Sequence, residues 1–377
     1  MIFPDGVTEQ AFVEQYWQRR ALLITQGLEG VESLITKAEL FELAADDCVE
    51  SRLVSYNSSR EEYKLRHGPF TALELQALAD EEPWTLLVQS VNLWHESVAR
   101  LIAHVMFIPH WRYDDIMISY ASPGGGVGPH TDQYDVFLVQ ISGQRRWRVG
   151  EQNQSVEANA TENELQLIAP FDATIDAVLR PGDIMYVPPD TPHEGISNTS
   201  GMTLSIGFRS PSSSELSMML AEEISIDDSY YRDPAEVAIQ NCTEITAAAM
   251  TQVKDWFINS INEQQIYIAF GKLQTQPKQD LILLPLEKPI EELLERGNLI
   301  ERDPAARIAW WQSGPVIHLF CNGEHGVFSY TDKALITLVS ETQNIALATV
   351  SSYIQQKACK QLLIFLADVG YYGTSEY

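Results

Sequence analysis

Cysteine is scarce in this chain. Its 377 residues hold four, Cys48, Cys242, Cys321 and Cys359, far apart and with no CxxC pair. Such usage argues for reduced, structural thiols in a cytoplasmic protein rather than a disulfide framework or a paired-cysteine metal site. Long apolar runs are also missing. None reaches the roughly 18 residues needed to span a bilayer, so no membrane location is expected. The opening Met1-Ile-Phe-Pro-Asp5 has no basic segment followed by an apolar one, so it does not read as a secretory leader. Positive charge is the third scarcity, with 25 Lys and Arg against 52 Asp and Glu and a formal net charge of −27. That surface repels phosphate backbones and anionic membranes and suits a basic partner, which argues against direct nucleic-acid binding. No internal repeat or low-complexity tract interrupts the chain. Against these absences stands a hydrophobic fraction of 45%, enough for a large core in two or three domains.

The periodicity of the apolar residues changes along the chain. Residues 1 to about 100 are mostly helical: 8–17 begins at an N-cap threonine with Phe12, Tyr16 and Trp17 on one side, and 36–45 carries a second apolar stripe. Residues 21–24 form a short strand, 51–56 and 62–65 a hairpin, 84–88 a strand and 96–105 a helix. From Trp111 the period becomes two. Strands are expected at 115–120, 134–141, 145–149, 173–179, 184–187 and 202–208, separated by Gly/Pro turns, as in a double-sheet jelly roll or barrel. Ser210-Pro-Ser-Ser-Ser-Glu215 marks a boundary and caps the next helix. Helices occupy about 215–275, including 247–270, and 274–280 reads as a linker. The remainder gives a helix at 290–296, a hairpin around Asn322-Gly323, and helices at 333–340 and 349–369. Helices combined with such a wing resemble a winged-helix domain.

Two stretches carry chemistry. In Gly124-Gly-Gly-Val-Gly-Pro-His-Thr-Asp132, alternation along an extended strand points His130 and Asp132 the same way. An imidazole and a carboxylate at that spacing supply two members of the two-histidine, one-carboxylate triad that suits non-haem Fe(II) and leaves positions open. The glycines do not form a phosphate loop, because no Lys-Ser/Thr comes after them and the next element is a strand. They let a turn pass close to a bound ligand. The second stretch is Leu179-Arg-Pro-Gly-Asp-Ile-Met-Tyr-Val-Pro-Pro-Asp-Thr-Pro-His193. A Pro-Gly-Asp turn, a buried strand and a proline corner would return His193 to the first two ligands. His67, His95, His104, His110, His318 and His325 have no partner at ligand spacing, and Trp310-Trp311 reads as packing rather than as a base-stacking platform.

His130-Thr-Asp-Gln-Tyr-Asp-Val-Phe137, Arg145-Arg-Trp-Arg148, and Pro181-Gly-Asp183 with His193-Glu-Gly195 resemble the JmjC/cupin-type 2-oxoglutarate oxygenases. More narrowly they resemble the bacterial ribosomal oxygenases, arginine hydroxylases of large-subunit ribosomal protein sixteen. The likeness extends to Phe12-Val-Glu-Gln-Tyr-Trp-Gln-Arg-Arg20 and Val88-Gln-Ser-Val-Asn-Leu-Trp-His95, and a helical region and a terminal winged helix in the expected order bring it to nearly the whole chain. The resemblance implies an α+β protein: a double-stranded β-helix core with N-terminal helices (1–210, the barrel about 85–210), a helical dimerisation region (211–278) and an acidic winged helix (279–377). It implies His130, Asp132 and His193 as Fe(II) ligands and Arg145 as the cation for the distal carboxylate of 2-oxoglutarate, a role its guanidinium fork suits. Ser119 would hydrogen-bond the same cosubstrate. O₂ would be consumed, succinate and CO₂ released, and the β-carbon of an arginine hydroxylated in a basic ribosomal protein held by a homodimer. Asp114, Asp115, Tyr134 and Asp135 are available to an arginine. The same chemistry on histidine of another ribosomal protein, or lysine demethylation, are the enzymatic alternatives. A metal-binding cupin without turnover is the third, and it would not need Arg145.

Overall fold

The computed structural model describes residues 1–373 apart from 5, 58, 60–61, 79–81, 159–164, 225–229, 234–242, 279–282, 284–288, 291, 293–299, 343 and 346–356. It divides into two compact units, Met1–Ser210 and Pro211–Tyr377.

In the first unit the elements run α1 (Glu9–Gln15), β1 (Leu22–Ile24), α2 (Lys37–Leu43), β2 (Ser51–Asn57), β3 (Glu62–His67), α3 (Ala72–Gln76), β4 (Trp84–Val88) and α4 (Glu96–Ala99). The barrel strands come next: β5 (Tyr113–Ala121), β6 (Val136–Ser142), β7 (Arg145–Val149), β8 (Ile175–Leu179), β9 (Ile184–Val187), β10 (His193–Ser197) and β11 (Gly201–Phe208). Helix α1 starts where the Thr8 side chain accepts from Ala11 N, and α2 starts in a Thr36–Glu39 capping box. The stretch expected as one helix over 96–105 is four α-helical residues continued by a 3-10 turn over Arg100–Val105.

Two sheets face each other. One has eight strands in the order β1-β9-β6-β11-β5-β4-β2-β3, the other three in the order β10-β7-β8. Alternation splits each strand of the larger sheet between two environments. Ile116 and Ile118 of β5, Phe137 and Val139 of β6, Tyr186 of β9 and Leu204 and Ile206 of β11 point outward into a core shared with Phe12, Leu40 and Phe41 of the N-terminal helices. Their neighbours point inward. At one end Val136, Leu138, Met185 and Val187 meet Trp147, Val149 and Leu179 of the smaller sheet in a second core. At the other end Asp115, Met117, Ser119, Thr203 and Ser205 line a cavity. A barrel half filled and half open positions the site.

The second unit contains α5 (Ser213–Ile224), α6 (Ala247–Asn259), α7 (Glu263–Thr275), β12 (Ile300–Arg302), β13 (Ile308–Ser313), β14 (Val316–Cys321) and β15 (Glu324–Ser329), then α8 (Lys333–Glu341), β16 (Asn344–Ile345), α9 (Lys357–Asp368) and β17 (Tyr372–Gly373). The single helix expected over 247–270 is broken. Ser260 caps α6, and Asn262 begins α7 in a capping box with Gln265. The expected linker over 274–280 begins late, because Gln274 and Thr275 are the buried last turn of α7. Asn322 (φ +50°) and Gly323 (φ +84°) close the β14–β15 hairpin with the left-handed backbone of a two-residue turn. One face of β13-β14-β15 meets α8 and α9 in a core around Ile317, Leu319, Leu335 and Leu362. The other face lies under α7, whose Tyr267 ring packs on Trp311. The helix expected over 290–296 and the start of the one over 349–369 fall largely outside the described residues.

Candidate active site

Two of the expected ligands do not sit on a regular strand. Between β5 and β6 the chain is irregular, β6 begins only at Val136, and His130 makes one isolated antiparallel bridge, to His193. His130 N donates to His193 O (3.1 Å) and His193 N to His130 O (2.9 Å). That exchange, not strand alternation, draws together residues separated by more than sixty positions. Asp132 O is held in turn by Asp190 N at 2.8 Å. The glycines before it are also reassigned. A Cβ at Gly125 would lie 2.3 Å from Trp84 O, and one at Gly126 2.5 Å from Gly195 O. The space beside them is filled by protein backbone rather than ligand, and they let this segment seal the edge of β10.

The resulting cluster has the donor set of a metal centre. Nitrogens of His130 and His193 and a carboxylate oxygen of Asp132 all lie within 4.8 Å of one another. His193 Nε2 is 3.5 Å from Asp132 Oδ2, and the two rings are 4.2 Å apart. Each ring is aimed by its other nitrogen. His130 Nδ1 lies 2.9 Å from Gly128 O, and His193 Nδ1 2.9 Å from Thr191 O. A carbonyl only accepts, so Nδ1 carries the proton and the Nε2 lone pair is available to a metal. Burial, with His130 alongside, pushes His193 down to about 4, so the ring is neutral, as a ligand must be. Two neutral imidazoles and one carboxylate suit Fe(II) or a similar divalent ion.

The cluster opens on a cavity of about 400 Å³ that also holds Ser119, Arg145 and Trp147. Arg145 is 3% exposed, and among the described residues no carboxylate pairs with it. Its Nη1 donates to Ser119 Oγ (3.2 Å) and its Nη2 to Gly195 O (3.2 Å), while Nε is buried without a hydrogen-bond partner. Desolvation lowers this guanidinium to about 10, so it stays charged at neutral pH. A buried cation with spare donors facing a cavity wants an anion, and a carboxylate satisfies it. Its neighbours differ: Arg146 is exposed and pairs with Asp176, and Arg148 pairs with Glu194.

Of the acidic and aromatic residues available to a substrate, Asp114, Asp115 and Tyr134 line this cavity. Asp135 does not. It is fully buried and accepts from Gln18 Nε2 (3.1 Å), Tyr186 Oη (2.6 Å) and Arg112 Nη2 (3.3 Å), tying the end of the first helical segment to the barrel. Sequence reasoning missed Arg52, Val54 and Leu65, which the β2–β3 hairpin places over the cavity. Their only signal is alternation within a hairpin far away in sequence.

Residues 100–216 match the JmjC domain family, and residues 258–373 the ROXA-like winged helix. The ribosomal protein uL16 3-hydroxylase of Escherichia coli is 37% identical over 306 residues, 79% of this chain and 80% of that protein. An X-ray structure of E. coli ycfD superposes with a TM-score of 0.83 at 31% identity, over 99% of this chain and all of that one. A structure of YcfD, described as a ribosomal oxygenase in complex with cobalt and 2-oxoglutarate, superposes with a TM-score of 0.81 at 32% identity, over 98% of both chains.

Proposed function

The chain belongs to the ribosomal oxygenases, a JmjC domain followed by a ROXA-like winged helix, and from that premise we propose that it hydroxylates the β-carbon of an arginine in ribosomal protein uL16. It is a 2-oxoglutarate-dependent dioxygenase. The observation that carries the reading is one cavity holding both a His-Asp-His donor set and a buried arginine that pairs with no carboxylate among the described residues. A metal-binding cupin without turnover has no use for that arginine.

His130, Asp132 and His193 would hold Fe(II), with the imidazoles fixed through Gly128 O and Thr191 O. Bound there with 2-oxoglutarate, the metal supplies the O₂ activation that couples decarboxylation to succinate and CO₂ with insertion of one oxygen atom into a C–H bond. Arg145 takes the distal carboxylate, and Ser119 hydrogen-bonds the same cosubstrate, its Oγ, 3.2 Å from Nη1, also keeping the fork oriented. Trp147, Leu138 and Val136 form an apolar wall that limits water beside them. On the substrate side, Met117 and Tyr134 can flank an arginine stem, and Asp114 and Asp115 make the wall acidic. Asp115 Oδ2 is positioned by Gln89 Nε2 (3.0 Å), Ser90 N (3.0 Å) and Ser90 Oγ (2.9 Å).

The catalytic domain in this reading is 1–210 with its barrel at about 85–210. Residues 211–278 dimerise the protein, and 279–377 are a winged helix that binds no nucleic acid directly, in keeping with the net charge of −27. Exposed Met250, Phe257 and Ile258 on α6 and Phe270 on α7 support a helix-mediated homodimer. Among the described residues no helix is long and apolar enough to cross a membrane. Activity on a ribosomal protein supports a cytoplasmic location. Intact-mass analysis of ribosomal proteins from a strain lacking this gene tests the whole reading. One missing oxygen on uL16 supports it, a missing oxygen on another ribosomal protein overturns the substrate, and no change on any protein overturns the activity.

A further inference from the structure

Among the described residues Arg145 has no carboxylate to hold it, yet it is fixed, and part of what fixes it lies on the neighbouring strand. In the β7–β10 register Gly195 stands opposite Trp147, and Ser197 opposite Arg145. Residues 145, 147 and 195 therefore share the inner face of the smaller sheet. A Cβ at Gly195 would lie 2.7 Å from Arg145 Nε and 2.8 Å from Trp147 Cη2 and Cζ2. The room that a side chain at 195 would use is taken by the arginine stem and the far edge of the indole. Gly195 is not among the glycines with positive φ, so packing requires glycine here and backbone conformation does not. Its carbonyl accepts from Arg145 Nη2, and the guanidinium carbon stands 4.9 Å from the Trp147 ring centre. The same indole lies 6.1 Å from the His193 ring, and its Nε1 is buried without a hydrogen-bond partner.

We infer that Gly195 and Trp147 are a positioning pair that aims Arg145, and that they thereby set the length of 2-oxo dicarboxylate the cavity accepts. The inference rests on Arg145 being the cosubstrate anchor. A carboxylate held two-pronged by a guanidinium tolerates little displacement of the fork. Of the two neighbours that a Cβ at 195 would meet, the indole is rigid and wedged in a core, while the arginine stem can swing. Strand β10 itself is tied on both edges, to β7 and to the 124–130 segment. The contact with Arg145 is relieved by moving the cation, and the 2.8 Å contact with the indole only by a few tenths of an ångström of give in the ring or the strand. The larger displacement therefore falls on the cation and the smaller on the metal donors.

The test uses the full-length protein loaded with Mn(II), titrated with 2-oxoglutarate, with oxaloacetate (one carbon shorter) and with 2-oxoadipate (one carbon longer). Tryptophan fluorescence and Mn(II) relaxation are the readouts. Gly195→Ala is expected to weaken 2-oxoglutarate binding at least about tenfold, to narrow the preference among the three acids, and to change Mn(II) affinity by no more than about twofold. Trp147→Phe shortens the ring that the new methyl meets. It is expected to weaken 2-oxoglutarate binding by itself, yet to restore part of it when combined with Gly195→Ala, so the two changes are not additive. Unchanged 2-oxoglutarate affinity in Gly195→Ala overturns the inference. So does an equal loss of Mn(II) and 2-oxoglutarate, which would mark a general defect of the strand. If Gly195→Ala does not fold, Trp147→Phe decides: unchanged affinity and unchanged preference overturn the pair. Wild-type protein that binds Mn(II) but none of the three acids would sink the anchor reading itself.

Discussion

His130 and His193 pack ring against ring in the first unit, with centroids 4.2 Å apart, and His318 and His325 do so in the second, at 5.1 Å. In the first pair each Nδ1 is satisfied by a backbone carbonyl, so both Nε2 atoms remain for a third party, and Asp132 joins them. In the second pair the rings are nearly parallel and His318 Nδ1 meets His325 Nε2 at 2.9 Å, so each ring uses up a nitrogen of the other. Trp311 stacks on His318 and Phe320 on His325, and among the described residues no third donor completes a cluster with them. Two histidines in contact therefore do not make a metal site. What distinguishes the first pair is the disposal of the Nδ1 protons and the presence of a carboxylate.

The largest expected effect removes that difference. Asp132→Ala should lower succinate formation by at least roughly 10³-fold, about 4 kcal/mol, and abolish tight Mn(II) binding, while His325→Phe should leave turnover nearly unchanged. Metal-dependent activity surviving in Asp132→Ala would erase the contrast between the pairs. Next comes the cation beside the first pair. Arg145→Met should raise the KM for 2-oxoglutarate roughly 10²-fold, about 3 kcal/mol, whereas Arg146→Met, which breaks an exposed pair with Asp176, should not. Steady-state kinetics against cosubstrate concentration separates the two.

The second pair should reveal itself through stability instead. A Cβ on Gly271 would lie 2.4 Å from the Phe320 ring, where α7 crosses the sheet bearing both histidines. Gly271→Ala should cost about 1–3 kcal/mol in urea unfolding of this unit, with catalysis per folded molecule intact. A smaller effect comes from protons. Burial, then His318 and Lys272, hold His325 down at about 4, below the ordinary histidine value. A depressed folded-state value means that the unfolded chain takes up the proton first. Stability is therefore full above about pH 6.5 and falls as pH drops from there toward 4, by something on the order of 1 kcal/mol after solvent screening. His325→Phe should flatten that dependence, and an unaltered profile would show that this pair is not what titrates.

Much of the first unit is legible from local chemistry. Short alternating strands between Gly/Pro turns give the barrel, and the Pro-Gly-Asp turn with its proline corner points to His193. The Asn322-Gly323 hairpin is equally plain, because the turn residues themselves demand positive φ. The departures share one cause. Local pattern puts His130 and Asp132 on one strand and sets the glycines before them beside a ligand. Both expectations assign to local pattern what a distant partner decides: His193 in the first case, the Trp84 and Gly195 carbonyls in the second. The break at Ser260 escapes the periodicity because apolar spacing runs through it, while the Asn262–Gln265 capping box that starts α7 is there to be read.

What the sequence determined by itself is the chemistry on offer: which side chains can bind a metal or a carboxylate, and where turns must fall. These depend on residue type, strand parity and turn preference, which act over a few positions. Only the tertiary structure decided which offers are taken up. The bridge from His130 to His193, the contacts that hold Arg145, the space that Gly195 yields, and the contact that spends the nitrogens of His318 and His325 all depend on register between strands. Register is set by burial summed over whole sheets, and no short stretch of sequence contains it.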